Sequence, residues 1–341
     1  MNRPLRTVVI GFGGVSDRLS DDSLMSKFFE HSSHAQVLVN HPAFSWEAVV
    51  DPSDAALLRA RERWSIPHTA HNIRELNEAY NPEVAIIATP PSSRLEILSA
   101  LPHLKAAVVE KPLATSSDDA KEFANYCSRM HIPVQVNYWR RGVSAFQNFA
   151  AGELQSRIGQ PQAIFSTYGN GLFNNGSHLV DFIRMLFGEI TEVQSIGSRM
   201  ISTSSSYTND TDLPIALTLE NGVTAVCLPI DFKHYRELGI DIWGDSGRIS
   251  ILQESLTLTS YLTAPNRALT GADEISSDAG KTESIPVNRA LYALYDNLAA
   301  TLDNRASLWS PISSALRTEN ILHAGLLSEK QGKRPIIITR H

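Results

Sequence analysis

The stretch Thr7-Val8-Val9-Ile10-Gly11-Phe12-Gly13-Gly14-Val15-Ser16 decides the fold. A β-branched run that passes at once into Gly-x-Gly-x-x-Ser reads as a buried strand feeding a tight turn and a helix. Gly11 permits the turn, Gly13 lets backbone amides come close to a pyrophosphate, and Ser16 is small enough for the third position. A plain glycine-rich strand-to-helix turn has the same local pattern, so the surroundings matter. Thr7–Gly11 is followed by further short apolar runs at Trp46–Asp51, Val84–Thr89, Ala107–Glu110 and Val134–Asn137. Between them Asp54–Trp64 and Ser117–Met130 carry apolar residues at three- and four-residue spacing, as amphipathic helices do. Alternation of strand and helix predicts an α/β, doubly wound parallel sheet, a Rossmann domain over residues 1–136.

After Asn137 the pattern changes to longer strands with period-two alternation: Ala163–Tyr168, Val193–Arg199, Ile215–Leu219, Val223–Ile230, Gly239–Trp243 and Arg248–Leu252. Glu220-Asn221-Gly222 is a hairpin signal, because Asn-Gly tolerates the positive φ of a tight turn. Residues 137–341 are therefore expected to form an α+β domain with a large, mainly antiparallel open sheet of six strands. Helical patterns flank it at His178–Phe187, Asn288–Leu302 and Ser313–Glu329, and Thr263–Ser284 reads as a polar surface loop.

Composition narrows the function classes. A formal charge of −6 with no Lys/Arg block argues against nucleic acid as a partner. Cys127 and Cys227 stand far apart without His or Cys at ligand spacing, which signals neither a disulfide framework nor a metal site. No run approaches the ~18 consecutive apolar residues of a spanning helix, and nothing near Met1 resembles a leader. The expectation is a soluble, cytoplasmic protein with no membrane partner.

Asp51 ends the second strand, where a carboxylate can accept hydrogen bonds from ribose hydroxyls and repel a 2′-phosphate. NAD is thereby favoured over NADP, although Asp51-Pro52-Ser53-Asp54 also suits a strand-end turn and helix cap. The separation between the glycines and this acid exceeds the usual ~20 residues. Asp17–Ser33 reads as an insertion before a helix that resumes at about His34. Its acidic, Ser-rich start followed by Met25, Phe28 and Phe29 suggests a short amphipathic helix beside the glycine loop, forming a lid or an extra contact at the pyrophosphate end.

Ordered blocks make a wider resemblance. Val84-Ala85-Ile86-Ile87-Ala88-Thr89-Pro90, Val108-Val109-Glu110-Lys111-Pro112-Leu113-Ala114, Asn137-Tyr138-Trp139-Arg140-Arg141, Ile158-Gly159, Gly176-Ser177-His178-Leu179-Val180-Asp181 and Gly244-Asp245-Ser246-Gly247-Arg248-Ile249 follow one another along nearly the whole chain. Together they resemble the Gfo/Idh/MocA family of sugar and cyclitol dehydrogenases. The resemblance implies an oxidoreductase that moves a hydride between a nicotinamide and a carbinol or carbonyl carbon of a carbohydrate-like substrate. It implies Lys111 and His178 as catalytic residues, with Lys111 bonding the reacting oxygen and His178 as acid/base. Asn174, Asp181 and Arg140 fall at substrate-binding positions, Asp181 being equally suited to a helix cap or ion pair. Gly11, Phe12, Gly13, Gly14, Ser16, Asp51, Thr89, Pro90, Arg94, Glu110 and Lys111 fall at cofactor-binding positions.

The chain departs from the family pattern at Asn174, where Asp is usual, and at Arg94, where His is usual. Asn174 keeps hydrogen-bonding capacity without the charge, and Arg94 would bring a fixed positive charge toward the nicotinamide. Two rival readings stay open: a glycosidase that uses NAD only transiently, and a dinucleotide-binding sensor without turnover. The open sheet, with too few helices to cover both faces, predicts a homodimer or homotetramer.

Overall fold

In β1 (Leu5–Ile10), Val8 and Ile10 pack to one side of a sheet while Leu5 and Val9 pack to the other. Period-two alternation of side chains with apolar groups on both faces is what a strand needs when helices cover the sheet on each side. The computed structural model describes residues 3–339 except 206 and 208; residues 1–2 and 340–341, the ends of the two expected domains, lie outside the described residues. β2 (Phe44–Val50), β3 (His68–Ala70), β4 (Val84–Ile87), β5 (Ala106–Val109) and β6 (Val134–Val136) join β1 in the order β3-β2-β1-β4-β5-β6. All neighbours are parallel. The order reverses between β1 and β4, the switch point at which such sheets take their ligands. β3 has no counterpart among the expected runs, because three residues on a sheet edge are too few to show a period.

Residues up to Val143 form one compact unit together with Asn288–Arg317. One core of this unit is closed by Leu76, Leu98, Phe123 and Cys127, and the other by Val37, Leu57, Tyr295 and Leu298. The helix Ala290–Leu302 thus returns to the parallel sheet after a long absence in sequence.

The second unit comprises Ser144–Val287 and the described residues from Thr318 onward. Its strands are β7 (Pro161–Tyr168), β8 (Ile190–Ser195), β9 (Met200–Ile201), β10 (Thr211–Asp212), β11 (Ile215–Leu219), β12 (Thr224–Pro229), β13 (Gly239–Gly244), β14 (Gly247–Leu252), β15 (Thr257–Pro265), β16 (Asp273–Ile275), β17 (Lys281–Ser284) and β18 (Ile336–Ile337). The sheet runs β16-β15-β14-β13-β7-β12-β11-β8-β18, with β17 also on β15, while β9 and β10 pair apart. It is antiparallel except for the parallel contact of β12 with β7. Asn221-Gly222 closes the β11–β12 hairpin, and Gly222 takes φ +82°.

Three expectations are corrected. The helix Ala290–Leu302 covers the parallel sheet and does not flank the antiparallel one. The sheet has more strands than six, and Thr263–Ser284 is no simple loop but contributes to β15, β16 and β17. β16 and β17 lie at the exposed edge beyond β15, so their sequence carries polar residues on both sides and no alternation to read.

At the amino ends of β1, β4 and β5, Glu83 takes Arg3 Nη1 at 2.6 Å, Lys105 Nζ at 2.8 Å and the Arg6 amide at 3.2 Å. Hydrogen bonds from Arg3 and then Lys105 hold its carboxyl at about 2, against a desolvation that pushes it upward from 4.5. A depressed carboxyl contributes stability that is present above its unfolded value and lost as pH falls through its folded one. Urea unfolding midpoints of the wild type are therefore expected to fall between pH 4.5 and 2. Glu83→Gln should flatten that part of the curve, and an identical slope in the variant would remove Glu83 from the account.

Candidate active site

Gly11 sits at the carboxyl end of β1 with φ +86°, and a Cβ there would lie 2.8 Å from the carbonyl of Ala88. The turn can therefore approach the end of β4 only as glycine. Gly13 and Gly14 face open space, with nothing closer than 4.0 Å to a Cβ built on either. Ser16 is buried and donates to the Gly11 carbonyl at 2.6 Å, closing the turn from inside. Phe12 is buried against Trp46, with ring centroids 5.9 Å apart.

Asp51 binds the loop from the next strand: Oδ2 accepts the Phe12 amide at 2.7 Å and Oδ1 the Ser53 amide at 2.9 Å. Each oxygen keeps a lone pair for another donor. A cleft of about 850 Å³ opens over the strand ends here, bordered by Gly11, Val50, Pro52, His71 and Thr89. Open glycine faces, a free acceptor side on Asp51 and a cleft at the switch point together fit a dinucleotide.

The insertion is an excursion out of the first helix. The amides of His34 and Ala35 donate to the carbonyls of Val15 and Ser16 at 3.1 and 2.9 Å. The helix His34–Asn40 therefore resumes where the glycine turn stops, and Ser33 caps it in a capping box with Gln36. Within the insertion, Met25–Phe28 makes only a single helical turn that buries nothing, with Phe28 half exposed. The expected amphipathic packing falls instead to Phe29, whose ring meets Trp139 edge-on at 5.6 Å. Asp17 is fully buried and takes Arg59 Nε at 2.6 Å and Trp64 Nε1 at 2.9 Å, while Asp21 takes Arg59 and Arg63. This clamp ties the insertion to the helix Asp54–Trp64 that follows Asp51. Deleting residues 17–33 is expected to weaken NAD binding by about tenfold, or about 1.4 kcal/mol, and to do so by more than it lowers the unfolding free energy in urea. Unchanged affinity by calorimetry would mark the segment as surface decoration.

β4 and β5 end side by side, which brings Thr89, Pro90, Arg94, Glu110 and Lys111 together. Arg94 is buried, and its guanidinium donates to the carbonyls of Thr89, Glu110 and Pro112. Its charge is thus spent on backbone carbonyls that brace the Glu-Lys-Pro turn. Glu110 Oε1 accepts His34 Nε2 at 3.0 Å and Asn137 Nδ2 at 2.6 Å. Burial alone would raise its carboxyl, but the bond and charge of His34, then Asn137 and Lys111, hold it below the ordinary value. Lys111 itself is buried, and the Lys111–Pro112 peptide is cis. Arg140 lies buried in the turn after β6, its guanidinium 4.5 Å over the Trp139 ring. Sequence reasoning missed His34 and Asn137 as partners of Glu110, since neither stands in a motif that announces a contact so distant in the chain.

In the second unit a π-turn, Leu172–Gly176, runs into the helix Ser177–Phe187. Asn174, His178 and Asp181 fall four and three residues apart and so share one helical stripe. Asp210 holds the turn, accepting the amides of Phe173 and Asn174 at 3.1 Å each, and Asp212 accepts that of Gly171 at 2.9 Å. No sequence signal marked these two carboxylates. Asp181 is buried, takes Thr318 Oγ1 at 3.3 Å, and lies 3.9 Å from Arg184, which also binds Glu189 with two bonds. Its surroundings are those of an anchor for this helix. Among the described residues no cluster of His, Cys, Asp or Glu could hold a metal ion, and no helix is long and apolar enough to cross a membrane.

Comparisons with known proteins agree with this geometry. Residues 5–138 match the model "Oxidoreductase family, NAD-binding Rossmann fold", and residues 144–250 match "GFO/IDH/MocA C-terminal domain". A D-apiose dehydrogenase of Paraburkholderia graminis is 28% identical over 160 residues, 42% of each chain. A scyllo-inositol 2-dehydrogenase (NAD(+)) of Bacillus subtilis is 29% identical over 181 residues, 48% of this chain and 53% of the relative. The match thus spans about half the length of these curated relatives. The WlbA dehydrogenase of Bordetella pertussis, solved with NADH and UDP-GlcNAcA, superposes with a TM-score of 0.74 at 18% identity, covering 99% of this chain and 100% of that one. With both domain models matched in order over most of its length, the chain belongs to the GFO/IDH/MocA family of NAD-binding oxidoreductases.

Proposed function

We propose that this protein is an NAD-dependent dehydrogenase or reductase acting on a CH–OH group of a sugar, polyol or sugar derivative. The observation that carries the reading is Lys111, held in a braced turn at the end of β5, beside the strand whose end borders the dinucleotide cleft. Residues 1–136 would bind the cofactor and residues 137–341 the substrate. A bound nicotinamide supplies the hydride acceptor or donor. His178 takes the proton of the substrate hydroxyl as general base, and Lys111 donates a hydrogen bond to the oxygen as negative charge develops there. Asn174 and Arg140 serve as substrate-binding residues, and the names of the two curated relatives favour an aldose or cyclitol. Asp51 favours NAD over NADP.

The test is a nicotinamide-absorbance screen over cyclitols, aldoses, polyols, uronates and nucleotide sugars in both directions. Turnover that requires Lys111 supports the reading. Release of free sugar with no net absorbance change would replace it by glycoside cleavage, and NAD binding without any turnover by a sensor.

We also propose a homodimer or homotetramer. On the second unit's sheet, Phe165 and Leu228 are exposed on the paired strands β7 and β12, Phe165 stands opposite Val226 and Asp241, and Leu252 is exposed on β14, one strand beyond β13. Exposed apolar side chains on an open sheet favour burial against a second copy. Light scattering at micromolar concentration should show more than one chain, and Leu228→Arg should lower the mass; a monomeric wild type would sink the idea.

A further inference from the structure

We infer that His34 is a positioning residue for Lys111, acting through the carboxylate of Glu110; this rests on the dehydrogenase reading above for its functional meaning, but its geometry stands apart from it. His34 is fully buried, and its amide and both ring nitrogens are engaged. Its amide donates to Val15 in the glycine turn at 3.1 Å, Nε2 meets Glu110 Oε1 at 3.0 Å, and Nδ1 meets the Tyr295 hydroxyl at 2.8 Å. An ionised carboxylate only accepts, so Nε2 carries a proton and donates. Tyr295, also fully buried, comes from the returning helix Ala290–Leu302. The imidazole therefore joins the returning helix to the residue immediately before Lys111, and the backbone amide of the same residue ties it to the cofactor loop.

Glu110 is gripped from two sides. His34 and Asn137 share its Oε1, and Asn137 is itself fixed by its amide to the Val109 carbonyl at 2.9 Å. On the opposite side Arg94 donates to the carbonyls of Glu110 and Pro112, the residues that flank Lys111. Backbone and side chain of residue 110 are thus both tied, and the direction in which Lys111 leaves the turn is set by these ties. Because His34 is also bonded to the glycine turn, the lysine and the dinucleotide loop are held in one frame. A reacting group displaced by about 1 Å can lose about 10²-fold in rate, which gives such a frame a purpose beyond stability.

The experiment is competitive acetylation of the full-length protein with acetic anhydride, well below its unfolding temperature. Lys111 labelling is read by mass spectrometry against the half-exposed Lys121 as internal reference. His34→Leu removes the donor at similar bulk, whereas His34→Gln keeps an amide that can reach Glu110. The Lys111/Lys121 ratio should change by about threefold or more in His34→Leu and return toward wild type in His34→Gln. Glu110→Gln alone should reproduce the change, and adding His34→Leu to it should bring little more, because both act through one contact. A general loosening would instead affect all lysines and add in the double variant. An unchanged ratio in His34→Leu, or full additivity with Glu110→Gln, overturns the inference whatever the substrate screen shows. A changed ratio together with Lys111→Ala that keeps full turnover would sink the catalytic reading of Lys111 and leave the positioning contact standing.

Discussion

His178→Ala is expected to lower turnover by about 10²–10⁴-fold, the usual cost of losing a general acid/base, while leaving NAD affinity close to wild type. Its helix is held by buried groups on either side of it: Asp210 on the amides of Phe173 and Asn174, and Asp181 with Thr318 and Arg184. Folding should therefore survive the substitution. Lys111→Ala should cost a comparable factor, since a donor aimed at developing oxyanion charge is commonly worth about 10²–10³. Steady-state rates on the substrate found by the screen, with NAD affinity by fluorescence, check both. Asn174→Asp is the companion variant. A carboxylate one turn before His178 favours the protonated imidazole, so the limb of the pH–rate profile that reports the base should move upward. Near wild-type turnover in His178→Ala would remove the acid/base assignment and leave Lys111 alone.

Asp51→Ala carries the second large effect. The wild type should bind NAD more tightly than NADP, because a carboxylate that accepts ribose hydroxyls repels a 2′-phosphate. The variant loses the bond from the Phe12 amide as well as the contact to ribose. Hydrogen bonds to a charged group contribute about 1.5–3 kcal/mol each, so NAD affinity should fall by about 10–100-fold. NADP affinity should fall less, since the loss of repulsion offsets the disordered loop, and the preference narrows. Calorimetric titration of both dinucleotides decides the matter. A wild type that prefers NADP, or a variant with unchanged discrimination, would confine Asp51 to bonding Phe12 and Ser53.

The sequence alone determined that a parallel sheet is entered by the apolar run ending at Ile10 and that a dinucleotide belongs at its carboxyl end. Runs with apolar groups on both faces can be buried only under helices on both sides, and Gly11-Phe12-Gly13 follows the first of them directly. It also determined the large antiparallel sheet, through period-two alternation and the Asn221-Gly222 turn. These features are local, and a few neighbouring residues express them. The short exposed strands at Asp273–Ile275 and Lys281–Ser284 were illegible for the complementary reason, because residues that face water on both sides show no period.

Tertiary structure alone decided which polar residues meet. Arg94, read as a charge directed at the nicotinamide, is consumed by the carbonyls of Thr89, Glu110 and Pro112. Glu110 faces His34 and Asn137, and Asp17 faces Arg59 and Trp64. The helix Ala290–Leu302 returns across the chain to cover the first sheet and bring Tyr295 to His34. Such pairs are set by the requirement that a buried charge or hydroxyl find a partner, and the partner can come from any segment that packing brings near. Sequence spacing carries no record of that choice.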